Sequence, residues 1–223
     1  MLALLVKKLV VEKEEATGHN PSWILKKREK KLVPQRQGRN QLRIIGGKWR
    51  GRKLVFPSVV GLRPTGDRIR ETLFNWLAPH IVGAHCLDLF AGSGALGLEA
   101  SSRGAAHVVM LDTDSQTISQ LLDHCARLEA REVTVLQANA LQWLNGAGDG
   151  EQFDVVFLDP PFDAPILEPL IIALNGSGRL HDETLIYLET ARDQAVAVPP
   201  NWRLLRQKSA GQVSFALYQF CPE

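Results

Sequence analysis

Cysteine is scarce and odd in number: Cys86, Cys125 and Cys221 are the only three in 223 residues. So few, so widely spaced, they exclude a disulfide framework and a structural zinc site, and they fit a reducing cytosol. The histidines His19, His80, His85, His107, His124 and His181 show no ligand spacing either, so no metal is expected. No apolar run approaches the roughly 18 residues a bilayer demands, so no membrane partner is expected. The opening MLALLVKKLV places its lysines after a short apolar stretch, the reverse of a secretory signal, and Glu12, Glu14 and Glu15 speak against a transit peptide. No internal repeat is visible. What remains, 45% hydrophobic and 22% charged, is ordinary for a soluble globular chain. Its length suits one domain with a large core, or one domain plus an appendage.

The net charge of +2 conceals a dipolar chain. From Lys26 to Lys53 there are twelve Lys and Arg against Glu29 alone, whereas residues 54–223 carry eleven basic and twenty acidic side chains. A basic arm on an acidic body points to a polyanionic partner met by one end of the protein. Residues 1–41, with KKREKK and QRQGRNQ and no sustained period, are read as a disordered basic arm.

LRIIGGKWRGRKLVF (42–56) predicts two short strands about Gly46-Gly47, a basic hairpin assigned to residues 42–62. In 63–79, Ile69, Leu73, Trp76 and Leu77 recur at helical spacing, Pro79 ends the run, and Asp67 is read as a cap. From residue 85 strands and helices alternate: HCLDLF, HVVML, VTVLQA, FDVVFLD and LIYLE are strands with helical patterns between them. Helix 115–128 is expected to bury Ile118, Leu121, Leu122, Cys125 and Leu128, with Asp114 as its cap. The last two strands flank Gly211 as an antiparallel hairpin. Near-continuous apolar strands between helices predict an α/β fold: a Rossmann-like, mostly parallel sheet covered on both faces, over residues 63–223.

DLFAGSGALG (88–97) joins the first of these strands to a helix and holds a literal G-x-G-x-x-G at Gly92, Gly94 and Gly97. That motif alone is weak evidence, and a plain strand-to-helix turn can carry it. Two carboxylates redirect it. Asp88 would sit beside the glycine loop, where a pyrophosphate is unwelcome but an ammonium is not. Asp112 ends the next strand, eighteen residues beyond Gly94, about where a ribose-binding acid belongs. A ligand with a ribose and an amino-acid end but no phosphate is S-adenosylmethionine.

VVFLDPPF (155–162) ends an apolar strand on Asp159 and locks the corner with Pro160-Pro161. Prolines fix φ and donate no hydrogen bond, so the corner is rigid and its carbonyls accept. If the first and fourth strands flank the reversal of strand order, DPPF and the glycine loop share one crevice.

On DPPF, DLFAGSGALG and Asn139-Ala140, the chain resembles class I S-adenosylmethionine-dependent methyltransferases that modify amines. The resemblance implies a seven-stranded sheet with an antiparallel C-terminal hairpin. It also implies cofactor contacts from Asp88, Ala91, Gly92, Ser93, Gly94, Asp112, Asn139 and Ala140, with Arg63 and Thr65 at the methionine end. Asp159 and the Pro160 carbonyl would hold the target amine on the corner stiffened by Pro161, and Phe162 would stack on the base. RIIGGKWRGRKL, LRPTGDRIRETLFNWLAP and AGQVSFALYQF narrow the likeness to the bacterial enzymes that methylate N2 of guanine 966 in 16S rRNA, from about Arg43 to Phe220. That family commonly has Glu where Asp112 stands. The implied partner is the small ribosomal subunit or its assembly intermediate, met by a cytoplasmic monomer without metal. Arg43, Lys48, Trp49, Arg50, Arg52 and Lys53 are expected to meet RNA, the cations on phosphates and Trp49 on a base.

Adenine-N6 methylation of DNA or RNA is the alternative within the fold. A nucleotide-dependent oxidoreductase would explain the glycines but not DPPF. A non-catalytic RNA-binding module would explain only the arm.

Overall fold

The computed structural model describes residues 40–56, 66–146, 150–161 and 166–222. Arg63, Thr65, Phe162 and nearly all of the arm lie outside the described residues.

Strands β1 (Asn40–Arg43) and β2 (Lys53–Phe56) pair antiparallel, with Arg43 opposite Lys53. The expected tight turn at Gly46-Gly47 is instead a longer connection over residues 44–52, with a 3-10 turn at Gly47–Trp49. The glycines there serve a close approach rather than a reversal. Gly47 has φ of 73°, and a Cβ on it would lie 1.7 Å from the Ser102 carbonyl oxygen. Gly47→Ala is therefore expected to destabilise the fold by more than about 2 kcal/mol, read from the urea midpoint. A loss below about 0.5 kcal/mol would show that the connection is free to shift.

The main sheet has seven strands: β3 (His85–Asp88), β4 (His107–Asp112), β5 (Val133–Gln137), β6 (Phe153–Leu158), β7 (Leu180–Ala191), β8 (Trp202–Ala210) and β9 (Val213–Phe220). Their order is β5-β4-β3-β6-β7-β9-β8. The first five are parallel, and β9 pairs antiparallel with both β7 and β8. The α/β architecture is the one expected.

Apolar residues alternate between the two faces of the parallel strands. Cys86, Val108, Met110, Val155, Phe157, Leu185 and Tyr187 form one core with α1 (Asp67–Leu77), α2 (Gly97–Ser102), α3 (Ser115–Leu128) and the hairpin. Leu87, Val109, Leu111, Val156 and Ile186 form the other with α4 (Ala140–Asn145) and α5 (Leu167–Gly176). Leu42, Ile44, Trp49, Leu54 and Phe56 belong to the first core, so the hairpin packs continuously with the sheet's helices.

Two helices bury different residues from those their apolar periods predict. On α3, Leu122 is 51% exposed, while Thr117 and His124 are buried. His124 turns inward because the Val55 carbonyl of β2 needs a donor: its Nε2 lies 3.1 Å from that oxygen, and Gln120 Nε2 donates to it as well. On α1, Arg70 and Phe74 are buried and Trp76 is half-buried, stacked on Phe215 at 5.4 Å. Asp67 is the first residue of α1 rather than its cap; Gly66 holds the cap position, and Asp67 accepts from Arg70 Nη2 at 2.6 Å. Asp114 caps α3 as expected, accepting from Thr117 N at 2.9 Å.

Candidate active site

Strand order reverses at β3, which lies between β4 and β6, and the glycine loop leaves its carboxyl end there. In open α/β sheets this is where ligands bind. Gly92 and Gly94 have φ of 48° and 79°, the left-handed region that glycine enters without strain. Two carboxylates stretch the loop. Asp112 Oδ2 accepts from Gly92 N at 2.9 Å while its Oδ1 accepts from Asp114 N at 2.9 Å. Asp88 Oδ2 accepts from Gly97 N at 3.0 Å, at the start of α2. Ala91, Ser93 and Gly94 are buried, and Gly92 is half-buried.

Of the four parallel strands nearest the reversal, β3 and β4 end on an acid, β6 is followed by one, and β7 carries one two residues before its end. Met110, Asp88, Phe157 and Tyr187 stand side by side across β4, β3, β6 and β7. Two residues on from Met110, Phe157 and Tyr187 come Asp112, Asp159 and Glu189. Across the crevice the order is thus Asp112, Asp88, Asp159, Glu189. Asp88 is fully buried, and that burial lifts its carboxyl to about 7. The charges of Asp159 and Asp112 push the same way, against N–H donation from Gly97 and Phe90. Asp159 is half-buried on its corner, Pro160 is buried and Pro161 is exposed.

A second set of charges, with Arg70 and Glu99 wholly buried, joins the hairpin to α2. Glu99 accepts from Ile45 N and Gly46 N, both at 2.8 Å, and from Arg103 Nε at 2.7 Å. Arg70 Nη1 lies 3.6 Å from Glu99 Oε2, and Arg70 Nη2 donates to the Arg43 carbonyl at 2.9 Å. The backbone that carries the hairpin's cations is therefore held by one carboxylate. Of those expected to meet RNA, Arg43, Lys48, Arg50, Arg52 and Lys53 are exposed. Lys48 Nζ is 2.5 Å from Glu132 Oε1 and 4.3 Å from the Trp49 ring centre. Trp49 itself is buried, which corrects its assignment as a stacking platform: its ring fills the first core, and its backbone N–H donates to Ser102 Oγ at 3.0 Å.

Asn139 stands at the carboxyl end of β5 and caps α4, accepting from Gln142 N at 3.1 Å; Ala140 behind it is buried. At the opposite end of the strands, His85 and His107 are paired across β3 and β4 and lie with Glu151 within 4.8 Å. Their spacing in sequence hid this, because strand pairing rather than helical period brings them together. Among residues with a place in the site, Arg70, Glu99 and Glu189 went unread. The signal for Glu189 is in LIYLE, an apolar run that meets an acid as VVFLD does, although β7 itself continues to Ala191.

The strand order with its antiparallel β9, the glycine loop and the acids along the crevice define a class I S-adenosylmethionine-dependent methyltransferase fold. The family described as Conserved hypothetical protein 95 matches residues 42–219, and the chain belongs to it. It is 52% identical to ribosomal RNA small subunit methyltransferase D of Escherichia coli K12 over 187 residues, 83% of this chain and 93% of that protein. The Haemophilus influenzae protein of the same name is 44% identical over 191 residues, 85% of this chain and 99% of its own. The chain is thus a member of the ribosomal RNA small subunit methyltransferase D family. The solved structure of the E. coli protein yhhF superposes with a TM-score of 0.74 at 50% identity, covering 82% of this chain and 99% of that one. SMU.776, crystallised with S-adenosylhomocysteine, shares the fold alone: 15% identity, TM-score 0.62, 75% of this chain and 53% of its own.

Proposed function

We propose that this chain transfers a methyl group from S-adenosylmethionine to the exocyclic N2 amine of guanine 966 in 16S rRNA. It would act in the cytoplasm, as a monomer without metal, on the small ribosomal subunit or its assembly intermediate. The observation that carries the chemistry is Asp159 on a proline-locked corner, one strand from a buried carboxylate and a glycine loop. The family relationship supports the RNA. Together they favour this reading over an adenine-N6 enzyme, an oxidoreductase or a binding module.

The cofactor fits the acids already in place. Asp88, raised by burial, is an anionic group in want of a cation, and an amino-acid ammonium supplies one. Asp112 keeps lone pairs for ribose hydroxyls beyond the two N–H groups it already accepts. Ala91, Gly92, Ser93 and Gly94 form the loop beside them; Arg63 and Thr65 are assigned to the methionine end, and Asn139-Ala140 to the adenine. When bound, the cofactor contributes an electrophilic methyl on sulfur. An amine conjugated to a purine is a weak nucleophile, since its lone pair is spread into the ring. Asp159 and the Pro160 carbonyl accept its two N–H groups, orient it and localise that pair, while Phe162 supports the base. Positioning of this kind supplies most of the rate. The base must leave its stack to arrive there.

Asp88 makes cofactor binding depend on pH. A folded-state value raised to about 7 means the empty protein holds this proton more tightly than the unfolded chain does. The group's contribution to stability is fully present below the ordinary carboxylate value and is lost as pH rises through 7. Binding a cation favours the ionised form, so the proton leaves as the cofactor enters. S-adenosylmethionine affinity should therefore rise about fivefold between pH 6 and 7 and about twofold more by pH 8, levelling off above that, by calorimetry. Asp88→Asn should flatten that rise; an unchanged profile in the variant would remove Asp88 from the cofactor.

The substrate class is tested by offering labelled S-adenosylmethionine with small subunits, naked rRNA, duplex DNA and bulk protein. Label in RNA recovered as N2-methylguanosine is expected. N6-methyladenosine, or label in DNA or protein, would overturn the substrate.

A further inference from the structure

We infer that Arg50 and Arg52 of the hairpin connection, with Arg127 and Arg131 at the foot of α3, form one phosphate-binding surface that docks RNA backbone far from the target base. The inference rests on the rRNA reading above and adds where, beyond the crevice, the RNA is gripped.

Position is the first ground. The elements that carry the connection over residues 44–52 do so at the end of the sheet opposite the crevice. Helix α2 starts beside Asp88, where Gly97 N donates to that carboxylate, and ends at Ser102, whose Oγ accepts from Trp49 N at 3.0 Å. Helix α3 starts just after Asp112, and in its last turn the Arg127 carbonyl lies 3.5 Å from Arg52 Nη1. Glu132, the partner of Lys48, immediately precedes β5, and its carbonyl accepts from Val108 N at 2.9 Å near the start of β4. From His107 to Asp112 the strand β4 advances five residues, roughly 16 Å at about 3.3 Å each. The arginines therefore stand about a strand's length from the acids assigned to the cofactor.

The second ground is charge. Residues 44–52 and 127–132 hold five cations, Lys48, Arg50, Arg52, Arg127 and Arg131, against Glu129 and Glu132, on a body whose acids otherwise outnumber its bases. Glu132 is committed to Lys48 and to the Ser101 hydroxyl, so Lys48 is neutralised and the excess falls on the four arginines. All four are exposed, and among the described residues none of them forms an ion pair. A guanidinium meets a phosphate through two parallel N–H groups, a fit that lysine lacks.

The third ground is how the connection is mounted. Ile45 N and Gly46 N are held by Glu99 at 2.8 Å, Gly51 N by the Ile44 carbonyl at 2.8 Å, and the Trp49 ring by the core. Long-range steering needs no such mount, because a mobile segment steers as well. Arginines on fixed backbone offer a set spacing and lose less freedom on binding. Contacts so far from the reacting groups are made equally before and during transfer, so they lower KM without raising kcat. They favour a large folded RNA, which reaches both ends of the protein, over a short strand.

The test compares the native chain with Arg127→Gln/Arg131→Gln. Transfer to small subunits gives kcat and KM, and filter retention gives Kd for protein-free 16S rRNA, each from about 50 to 200 mM salt. The double variant should raise KM and Kd about tenfold, keep kcat within about twofold, and reduce the log–log salt slope by about two. A folding defect would lower kcat and leave the slope intact, so the slope reports phosphate contacts alone. Unchanged KM, Kd and slope would overturn the surface while leaving the guanine-N2 reading intact. A fall in kcat at constant KM would overturn it too, by placing the arginines within reach of the chemistry. Weakened binding to subunits but not to protein-free rRNA would overturn the RNA assignment in favour of a ribosomal protein. Failure of the native protein to methylate subunits would overturn the guanine-N2 reading, and the rRNA binding would still decide this inference.

Discussion

Asp159→Ala is expected to lower methyl transfer about a thousandfold while leaving S-adenosylmethionine affinity within about threefold. The separation follows from where the residue stands. Asp159 follows the end of β6, whereas the two acids assigned to the cofactor lie on β3 and β4 and the loop follows β3. Removing it leaves Asp88 bonded to Gly97 and Asp112 bonded to Gly92. It also removes a charge that raises Asp88, so that carboxyl should fall somewhat below its value of about 7. Cofactor binding near neutrality should tighten slightly if it changes at all. The amine, by contrast, loses the acceptor that orients it, and the Pro160 carbonyl alone holds one N–H. Asp159→Asn keeps a carbonyl acceptor and should retain more activity than alanine, down about tenfold to a hundredfold. Single-turnover rates at saturating cofactor separate the two variants. Equal activity in alanine and native protein would place the chemistry elsewhere.

Glu99→Ala is expected to destabilise the protein by about 3–5 kcal/mol, a large share of what holds a domain of this size together. Glu99 is buried, and its two oxygens gather two backbone N–H groups of the hairpin connection and one guanidinium, with Arg70 close by. Alanine leaves the buried Arg70 with Asp67 as its remaining carboxylate, takes the partner of Arg103 Nε and strands the Ile45 and Gly46 N–H groups. The urea midpoint should fall accordingly, and hydrogen exchange at residues 44–52 should rise before that of β3 or β6. RNA affinity should fall as well, because Lys48, Arg50 and Arg52 ride on that connection. A loss under 1 kcal/mol would mean that apolar contacts alone seat the hairpin.

Most of the sheet was legible because parallel strands buried on both faces read as apolar runs, and β3, β4, β6 and β7 do. Asp88, Asp112 and Asp159 were legible for a related reason: an acid that ends such a run has no structural excuse. Glu189 closes the apolar run LIYLE in the same way, but no glycine loop or proline corner stands beside it to mark it. What composition could not show was direction. Trp49 sits among cations in KWRGRK and looks like a base platform, yet its ring is buried in the first core. Leu122 and His124 exchange the places their hydropathy assigns, because a single carbonyl, that of Val55, needs a donor. The ion group of Arg70, Glu99 and Arg103, its first two members buried, joins α1 to α2 across some thirty residues, a separation at which no local pattern reports a contact.

The most direct test of guanine-N2 methylation through Asp159 is nucleoside analysis of small subunits taken from cells lacking the enzyme. The native protein with S-adenosylmethionine should produce N2-methylguanosine at a single position, guanine 966, and Asp159→Ala should produce none while still binding the cofactor. A different methylated nucleoside, or undiminished product from Asp159→Ala, would contradict it.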